Sequence, residues 1–465
     1  MKKLLLLLLP ALALAIHDME WFDLNAWRFP FYNDGRSGID TTRQPSLAGG
    51  TWPQPLLNAY VFGAGFWAGA ISQSETLVTY GYNPNSGGTE MVPALCRYWR
   101  EGYADPRDRI YRYPGTWPPP PDRFPMAPQD PRSRLDLWCC FGDSDPATHI
   151  SPGRPMGIDV YLTACGYPDS IARDFFFIRY DLANSSGQML SDVYFAVVVD
   201  VDIGEGTDDM TGLILDQIFR VGSDTFRVTN TGFGFDYNNY EAPGRDWDDG
   251  TPGAVAVRLL QAPAGVGLTA FKKYTIDIDP VTDASQYLTM AGYDYRTGIY
   301  IPFDSVDFMP GDKRFLLASG TFDLAADSTA TFWCAVIGAP YGEANQPPGN
   351  RDTTELALRC WWAERTFQRL LAVEEPQGPI AGYRQLAAPN PFSPSHTLKI
   401  EAVGARDLTA DVYDAGGRLV RSLAGQDGLT WNGRDQSGRM LPAGLYFVTV
   451  RTSIEAVTHK VLLQH

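Results

Sequence analysis

The densest run of groups able to bind or react is Asp200-Val-Asp202-Ile-Gly-Glu205-Gly206-Thr-Asp208-Asp209. Carboxylates on a Gly-bearing loop are what a hard cation takes, and Ca2+ gathers about six to eight such oxygens. Asp200 and Asp202 share a face if the preceding strand continues, and the glycines let the chain fold back. The candidate ligands are therefore Asp200, Asp202, Glu205, Asp208 and Asp209, with Ca2+ as the expected ion. The spacing is not that of an EF-hand loop. A solvated acidic turn at a strand end is the competing reading. Residues 191–250 hold 13 acidic and 3 basic side chains, including Asp246-Trp247-Asp248-Asp249-Gly250, which makes this stretch the place where a ligand is expected.

The same carboxylates could serve a glycosidase, which needs two facing carboxyl groups in a cleft rimmed by aromatics. Trp247 lies beside Asp246 and Asp248, but nothing in the spacing singles out an acid and a nucleophile, and aromatics of a β-sandwich mostly fill its core. Other chemistries find less support. Between His17 and the last hundred residues the only histidine is His149, in Ala147-Thr-His-Ile-Ser-Pro152, which reads as a surface loop. A Ser-His-Asp site would have to use it, and a multi-histidine zinc site has no material. No GxSxG, CxxC, P-loop or dinucleotide fingerprint occurs.

Strands must position these groups. Phe175–Tyr180 and Val193–Val199 are β-branched and aromatic runs around Asn184-Ser-Ser-Gly187, predicting neighbouring antiparallel strands. Ala254–Leu260, Tyr287–Gly292, Phe315–Phe322 and Thr329–Ile337 are further strand candidates, the last two joined by a hairpin-like connection at 323–328. Pro114-Gly-Thr-Trp-Pro-Pro-Pro-Pro121 excludes helix and central strand and predicts an extended surface loop. After Asp352-Thr-Thr-Glu355, a capping pattern, Leu356, Cys360, Ala363, Phe367 and Leu370 recur on one helical face. The fold class is mainly β: a large β-sandwich-type region with one amphipathic helix near its end, followed by a small Ig-like β-sandwich.

The 465 residues carry a formal net charge of -16, and 44% are hydrophobic. That composition suits a folded chain of several domains. The acidic balance disfavours nucleic acid, whose binders neutralise phosphates, and disfavours charge adhesion to anionic membranes. Met1-Lys2-Lys3 followed by an apolar run to Leu14 and Ala13-Leu14-Ala15 reads as a secretory signal peptide over 1–15, and no later segment is apolar enough to span a bilayer. The expected location is therefore outside the cell or on its outer surface, reached through the periplasm. Six cysteines in an exported chain permit disulfides, and the adjacent Cys139 and Cys140 would go to different partners.

Glu374-Glu-Pro-Gln-Gly-Pro379 reads as a linker, with a charge break across it. Residues 1–375 hold 29 basic and 47 acidic groups, and residues 376–465 hold 9 and 7. The expected domains are 16–371, with 165–170 as a second point of division, a linker over 372–384, and 385–465.

The last 80 residues alternate short strands with turns. Asn390-Pro391-Phe392, Tyr413 with Gly417, Trp431-Asn-Gly433-Arg-Asp435, Gly438, Gly444-Leu-Tyr446 and Lys460 together resemble the type A C-terminal sorting domain of type IX secretion cargo, and are similar to the Ig-like domain of the flagellar hook-capping protein. The resemblance implies delivery across the outer membrane, with the secretion machinery of that membrane as partner. Tyr82-Asn-Pro-Asn-Ser-Gly-Gly88, Ser191-Asp-Val-Tyr194, Asp200-Val-Asp202-Ile-Gly204 and Arg314–Gly320 more loosely resemble β-rich exported proteins with the same tail, whose activity is unassigned. The expected function is a secreted or surface-displayed protein whose passenger is structural or binds a surface glycan or protein. The alternative is a secreted carbohydrate-active hydrolase with paired carboxylates.

Overall fold

The computed structural model describes residues 17–99, 105–150, 153–222, 224–305, 307, 309–374, 392–393, 397–400, 408–414, 418–425, 429–451 and 456–464. The expected signal peptide and most of the expected linker lie outside these residues. The chain forms two compact units, Met1–Leu370 and Leu371–His465.

In chain order the main strands of the first unit are β1 (Gly50–Thr51), β2 (Ala59–Ser72), β3 (Glu75–Tyr80), β4 (Tyr111–Tyr113), β5 (Leu135–Gly142), β6 (Ile158–Gly166), β7 (Phe175–Asn184), β8 (Leu190–Val201), β9 (Asp209–Val221), β10 (Asp224–Asp236), β11 (Gly253–Gln261), β12 (Ala270–Thr275), β13 (Lys313–Leu324) and β14 (Thr329–Pro340). One sheet runs β12-β13-β8-β2-β1, with β3 also on β2, and the other runs β9-β10-β11-β14-β7-β6-β5-β4. Their pairings are antiparallel. The two sheets face each other across an aromatic core, in which Phe195 of β8 stacks on Phe332 of β14 at 4.0 Å and Phe66 of β2 meets Tyr180 of β7 at 5.7 Å. The fold is a β-sandwich built from alternating inward positions.

Two helices cover the outer faces. α1 (Asp283–Met290), started by a Thr282–Ser285 capping box, lies over the outer face of the first sheet, where Met290 joins Trp67, Val198 and Leu316. α2 (Thr354–Glu374) buries Leu356, Cys360, Ala363, Phe367 and Leu370 as one stripe, with Phe367 against Phe177 and Trp333. It runs three residues into the span read as linker.

Three readings of the sequence need correction. Tyr287–Gly292 is not a strand: Tyr287–Met290 form the last turn of α1, because the Thr282–Ser285 cap starts a helix and Gly292, at φ 89°, ends it. Consecutive runs read as hairpin pairs sit in opposite sheets. β7 crosses to β8, and β13 crosses back to β14, so β7 pairs with β6 and β14, β8 with β2 and β13, β13 with β12 and β8, and β14 with β7 and β11 instead. Asn184 makes the crossing specific. Its Nδ2 donates to the Leu324 and Gln188 carbonyls, and its backbone pairs with Ser328 and Asp327 of the return crossing. No division falls at 165–170 either, because β6 and β7 pair along their lengths across that turn.

The second unit contains β15 (Leu398–Ile400), β16 (Leu408–Asp414), β17 (Leu419–Gly425), β18 (Leu429–Trp431), β19 (Gly444–Arg451) and β20 (Ala456–Leu463). The order β17-β16-β19-β20 makes one sheet, and β15-β18 makes a second. Trp431 sits at its centre, 5.2 Å from Phe392 and 5.3 Å from Tyr446.

Candidate functional site

The turn from β8 to β9 separates two clusters of carboxylates. The first forms because Asp200 stands in register with Arg314 of β13 and with Gly63 of β2. Tyr82 crosses over Gly63, where a Cβ would lie 2.1 Å from its ring, and its hydroxyl donates to Asp200 Oδ2 at 2.7 Å. The Arg314 guanidinium is buried among three acids: Asp200 at 3.1 Å, Asp312 at 2.5 Å and Asp279 at 3.9 Å. Burial opposes its charge, yet these carboxylates hold its pKa above the ordinary value. Asp202 and Asp312 lie with Asp200 within one 4.8 Å group of oxygens. Burial, and then the Asp312 charge, push Asp202 up to about 7. These acids, Arg36, Phe62 and Asn85 line an open cavity of about 520 Å³.

The second cluster forms at the open end of the β9–β10 pair. Asp209 opposes Asp236 in register, so the residues flanking both strand ends converge. Ligand oxygens of Asp208, Asp236 and Glu241 lie within 4.8 Å of one another. Asn238 Nδ2 donates to Asp208 Oδ2 at 2.8 Å, the Tyr240 amide to Asp236 Oδ1 at 3.1 Å, and the Glu205 amide to Glu241. Gly204, at φ 61°, is required here because a Cβ would lie 2.3 Å from Glu241 Cδ. Asp208 Oδ1 and Asp236 Oδ2 are buried with no donor, as are Asp209 Oδ1 and Asn239 Oδ1. Among the described residues, no lysine or arginine stands within ion-pair distance of Asp208, Asp209, Asp236 or Glu241. Burial first, then mutual repulsion, push Asp236 up to about 6; for Glu241 burial and the neighbouring acids outweigh the Glu205 amide and reach about 7. Chemically, the first cluster is an acidic cavity with one buried arginine among its carboxylates, and the second is a set of carboxylates with no ion-pair partner among the described residues.

The five residues read from the sequence as one site are therefore divided. Asp200 and Asp202 belong to the first cluster and Asp208 to the second. Asp209 is fully buried, accepting the Ile203 amide at 3.0 Å, and the Glu205 side chain is exposed. The cause is the reversal of the chain at Gly204 and Gly206, which turns successive carboxylates to opposite sides. Sequence reading missed Asp312, Asp236, Glu241 and Asn239. The last three fall inside the acid-rich stretch, which could have flagged them. Arg314 and Tyr82 fell in the stretches resembling exported proteins, without a role.

Other expected reactive groups are structural. Trp247 is buried against Tyr60 and donates to the Gly250 carbonyl, so it offers no sugar platform. His149 is not on a surface loop: its ring is buried, with Nδ1 3.2 Å from Glu90 Oε2 and Nε2 3.0 Å from the Asp143 carbonyl. None of the six cysteines is bridged. Cys139 and Cys140 point to opposite faces of β5 into two different cores, and burial pushes both thiols well up.

In the second unit the motif residues build the fold. Phe392, Trp431 and Tyr446 are core, and Tyr446 donates to the Pro442 carbonyl at 2.8 Å. Gly433, at φ 73°, passes Leu463, and Asp435 Oδ1 accepts from Ser437 and Arg439 to close the turn ending at Gly438. Tyr413 is half-buried on β16. Gly444 begins β19, and Lys460 pairs with Phe447 through the backbone. Asn390, Pro391 and Gly417 lie outside the described residues.

The molecule is thus a β-sandwich joined to a small two-sheet β domain. Residues 394–455 of that domain match the family described as the FlgD Ig-like domain. No match is found among curated proteins. Solved structures similar to the chain include a polysaccharide lyase, at 8% identity and TM-score 0.25, over 96% of this chain and 46% of that one. They also include PorZ, a surface component of the type-IX secretion system of Porphyromonas gingivalis, at 14% identity and TM-score 0.16, over 71% and 43%. Dimeric latent PorU from the same organism gives 10% identity and TM-score 0.16, over 97% and 34%. The chain spans less than half the length of each.

Proposed function

We propose that this chain is an exported β-rich protein, secreted or held at the outer cell surface, whose C-terminal Ig-like domain is its sorting signal for a type IX-like system. The observation that carries the reading is the FlgD Ig-like match at 394–455, on a chain whose first fifteen residues read as a signal peptide. The partner of the tail would be the outer-membrane secretion machinery. The passenger would be structural or ligand-binding and not catalytic, with the Asp202–Asp312–Arg314 cavity as the place where a surface glycan or protein group binds. Deleting 385–465 in a host with such a system is expected to leave the passenger folded in the periplasm. Undiminished surface display would refute the route.

The alternative, a carbohydrate-active hydrolase, is favoured by one feature of the same cavity. Asp202, pushed up to about 7, keeps a proton near neutrality and so suits a general acid, while Asp312 beside it is paired with Arg314. A glycan panel assayed for binding and hydrolysis separates the two readings. Turnover abolished by Asp202→Asn, with binding retained, would replace the non-catalytic reading.

A further inference from the structure

We propose that Asp208, Asp236 and Glu241 bind one Ca2+ ion, at a site clamping the β8–β9 turn to the end of β10. Acidic residues gathered at a strand end do not make a site by themselves. What points to an ion is the state of their oxygens. Asp236 is fully buried and offers one oxygen to a group within 4.8 Å; its Oδ1 is held by the Tyr240 amide, and its Oδ2 meets no donor. Asp208 is held in the same way through Oδ2, and its Oδ1 is equally buried and unmet. Asn239, two residues before Glu241, is fully buried in a left-handed conformation, with its Nδ2 committed to the Glu343 carbonyl and its Oδ1 without a donor.

A proton shared between Asp208 and Asp236 is the competing account. It would serve one pair of oxygens and leave the Glu241 carboxyl beside them unanswered. A cation serves several acceptors together and answers the charge of three carboxylates at once. The donors are all oxygen, which selects a hard ion over zinc or copper. Ca2+–oxygen distances of about 2.3–2.6 Å place opposite ligands about 5 Å apart, so a 4.8 Å group is within reach of one ion. The Arg314 that answers Asp200 has no counterpart here, and the Arg351 guanidinium is spent on the carbonyls of Asp236 and Tyr237. The ion would tie Glu241, which rests on the Glu205 amide and against Gly204, to the β9–β10 strand ends. That fixes the turn that starts at Asp202, at the rim of the cavity.

The test is calorimetric titration of Ca2+ into the full chain stripped with chelator at pH 7.5, with thermal unfolding alongside. The expected result is one Ca2+ per chain, an upward shift of the unfolding temperature, and Kd near the 10⁻⁴–10⁻³ M order common in extracellular modules. Asp236→Asn and Glu241→Gln should each weaken binding about 10- to 100-fold. Asp202→Asn, in the first cluster, should leave it unchanged. If Asp236→Asn does not fold, Glu241→Gln carries the test from its half-buried position. The proposal is overturned by no heat and no thermal shift up to about 10 mM Ca2+, well above the weak end of such sites. It is equally overturned by unaltered affinity in Glu241→Gln, by lost affinity in Asp202→Asn, or by an equal response to Mg2+.

Discussion

Two groups of buried carboxylates lie on either side of one turn, and the protein treats them differently. Around Asp200 the sheet supplies a counter-charge from within, with Arg314 opposite it in register and Tyr82 closing over Gly63. Around Asp236 it supplies backbone amides and the Asn238 amide, and the nearby Arg351 guanidinium goes to backbone carbonyls and not to the carboxylates. Both clusters leave buried acceptors unmet, Asp200 Oδ1 and both Asp279 oxygens among them, at about 1–3 kcal/mol each, but only the first sets a buried arginine among its acids. Acidic density alone does not locate a ligand. The position of the nearest buried cation does.

The comparison breaks most easily at Arg314. Arg314→Met leaves Asp200 and Asp279 buried, and Asp312 half-buried, without their partner and should cost about 3–5 kcal/mol in urea unfolding. A loss below about 1 kcal/mol would mean that the first cluster is not held by this pair.

A smaller effect reads the first cluster by pH. Folded Asp202 keeps its proton up to about pH 7, whereas the unfolded side chain loses it near its ordinary 3.8. Between those values the folded state binds more protons, so this group's contribution falls as pH rises and levels off above 7. Asp202→Asn should therefore leave stability unchanged near pH 4 and raise it at pH 8, by roughly 1–2 kcal/mol once solvent screening is allowed for. Equal effects at both pH values would remove the argument that burial perturbs this carboxyl.

The smallest effect is the most diagnostic, because it changes sign. With chelator present, Asp236→Asn relieves repulsion and should stabilise by about 0.5–1 kcal/mol. With saturating Ca2+ it should destabilise, since the ion no longer stabilises the folded state through this site. Denaturation of both proteins in both conditions checks it, and one common sign in the two buffers would contradict the cation reading.

The legible parts of the fold were those written in local periodicity. The Leu356–Leu370 stripe is a helix face because its spacing leaves only one side to bury, and the tail strands alternate cleanly around Trp431. Strand partners were less legible. β7 and β8 are buried on both faces, so their composition cannot say which neighbour they pair with, and the crossing is set by Asn184 contacts to residues 140 positions away and more. The capping box at Thr282–Ser285 outweighed the apolar look of Tyr287–Gly292, since a helix start depends on two side chains and not on average hydropathy.

By itself, the sequence determined that the molecule is mainly β, that its acid is concentrated in residues 191–250, and that its tail carries an Ig-like pattern. Composition, periodicity and turn residues act locally, so they survive in a one-dimensional reading. Which carboxylates share a site was decided only by the tertiary structure. Asp200 and Asp208 are eight positions apart and face different surroundings, while Asp208 and Asp236 are 28 apart and share oxygens within 4.8 Å. Sheet register and the reversal at Gly204 and Gly206 made that choice, and both depend on contacts that no local pattern records.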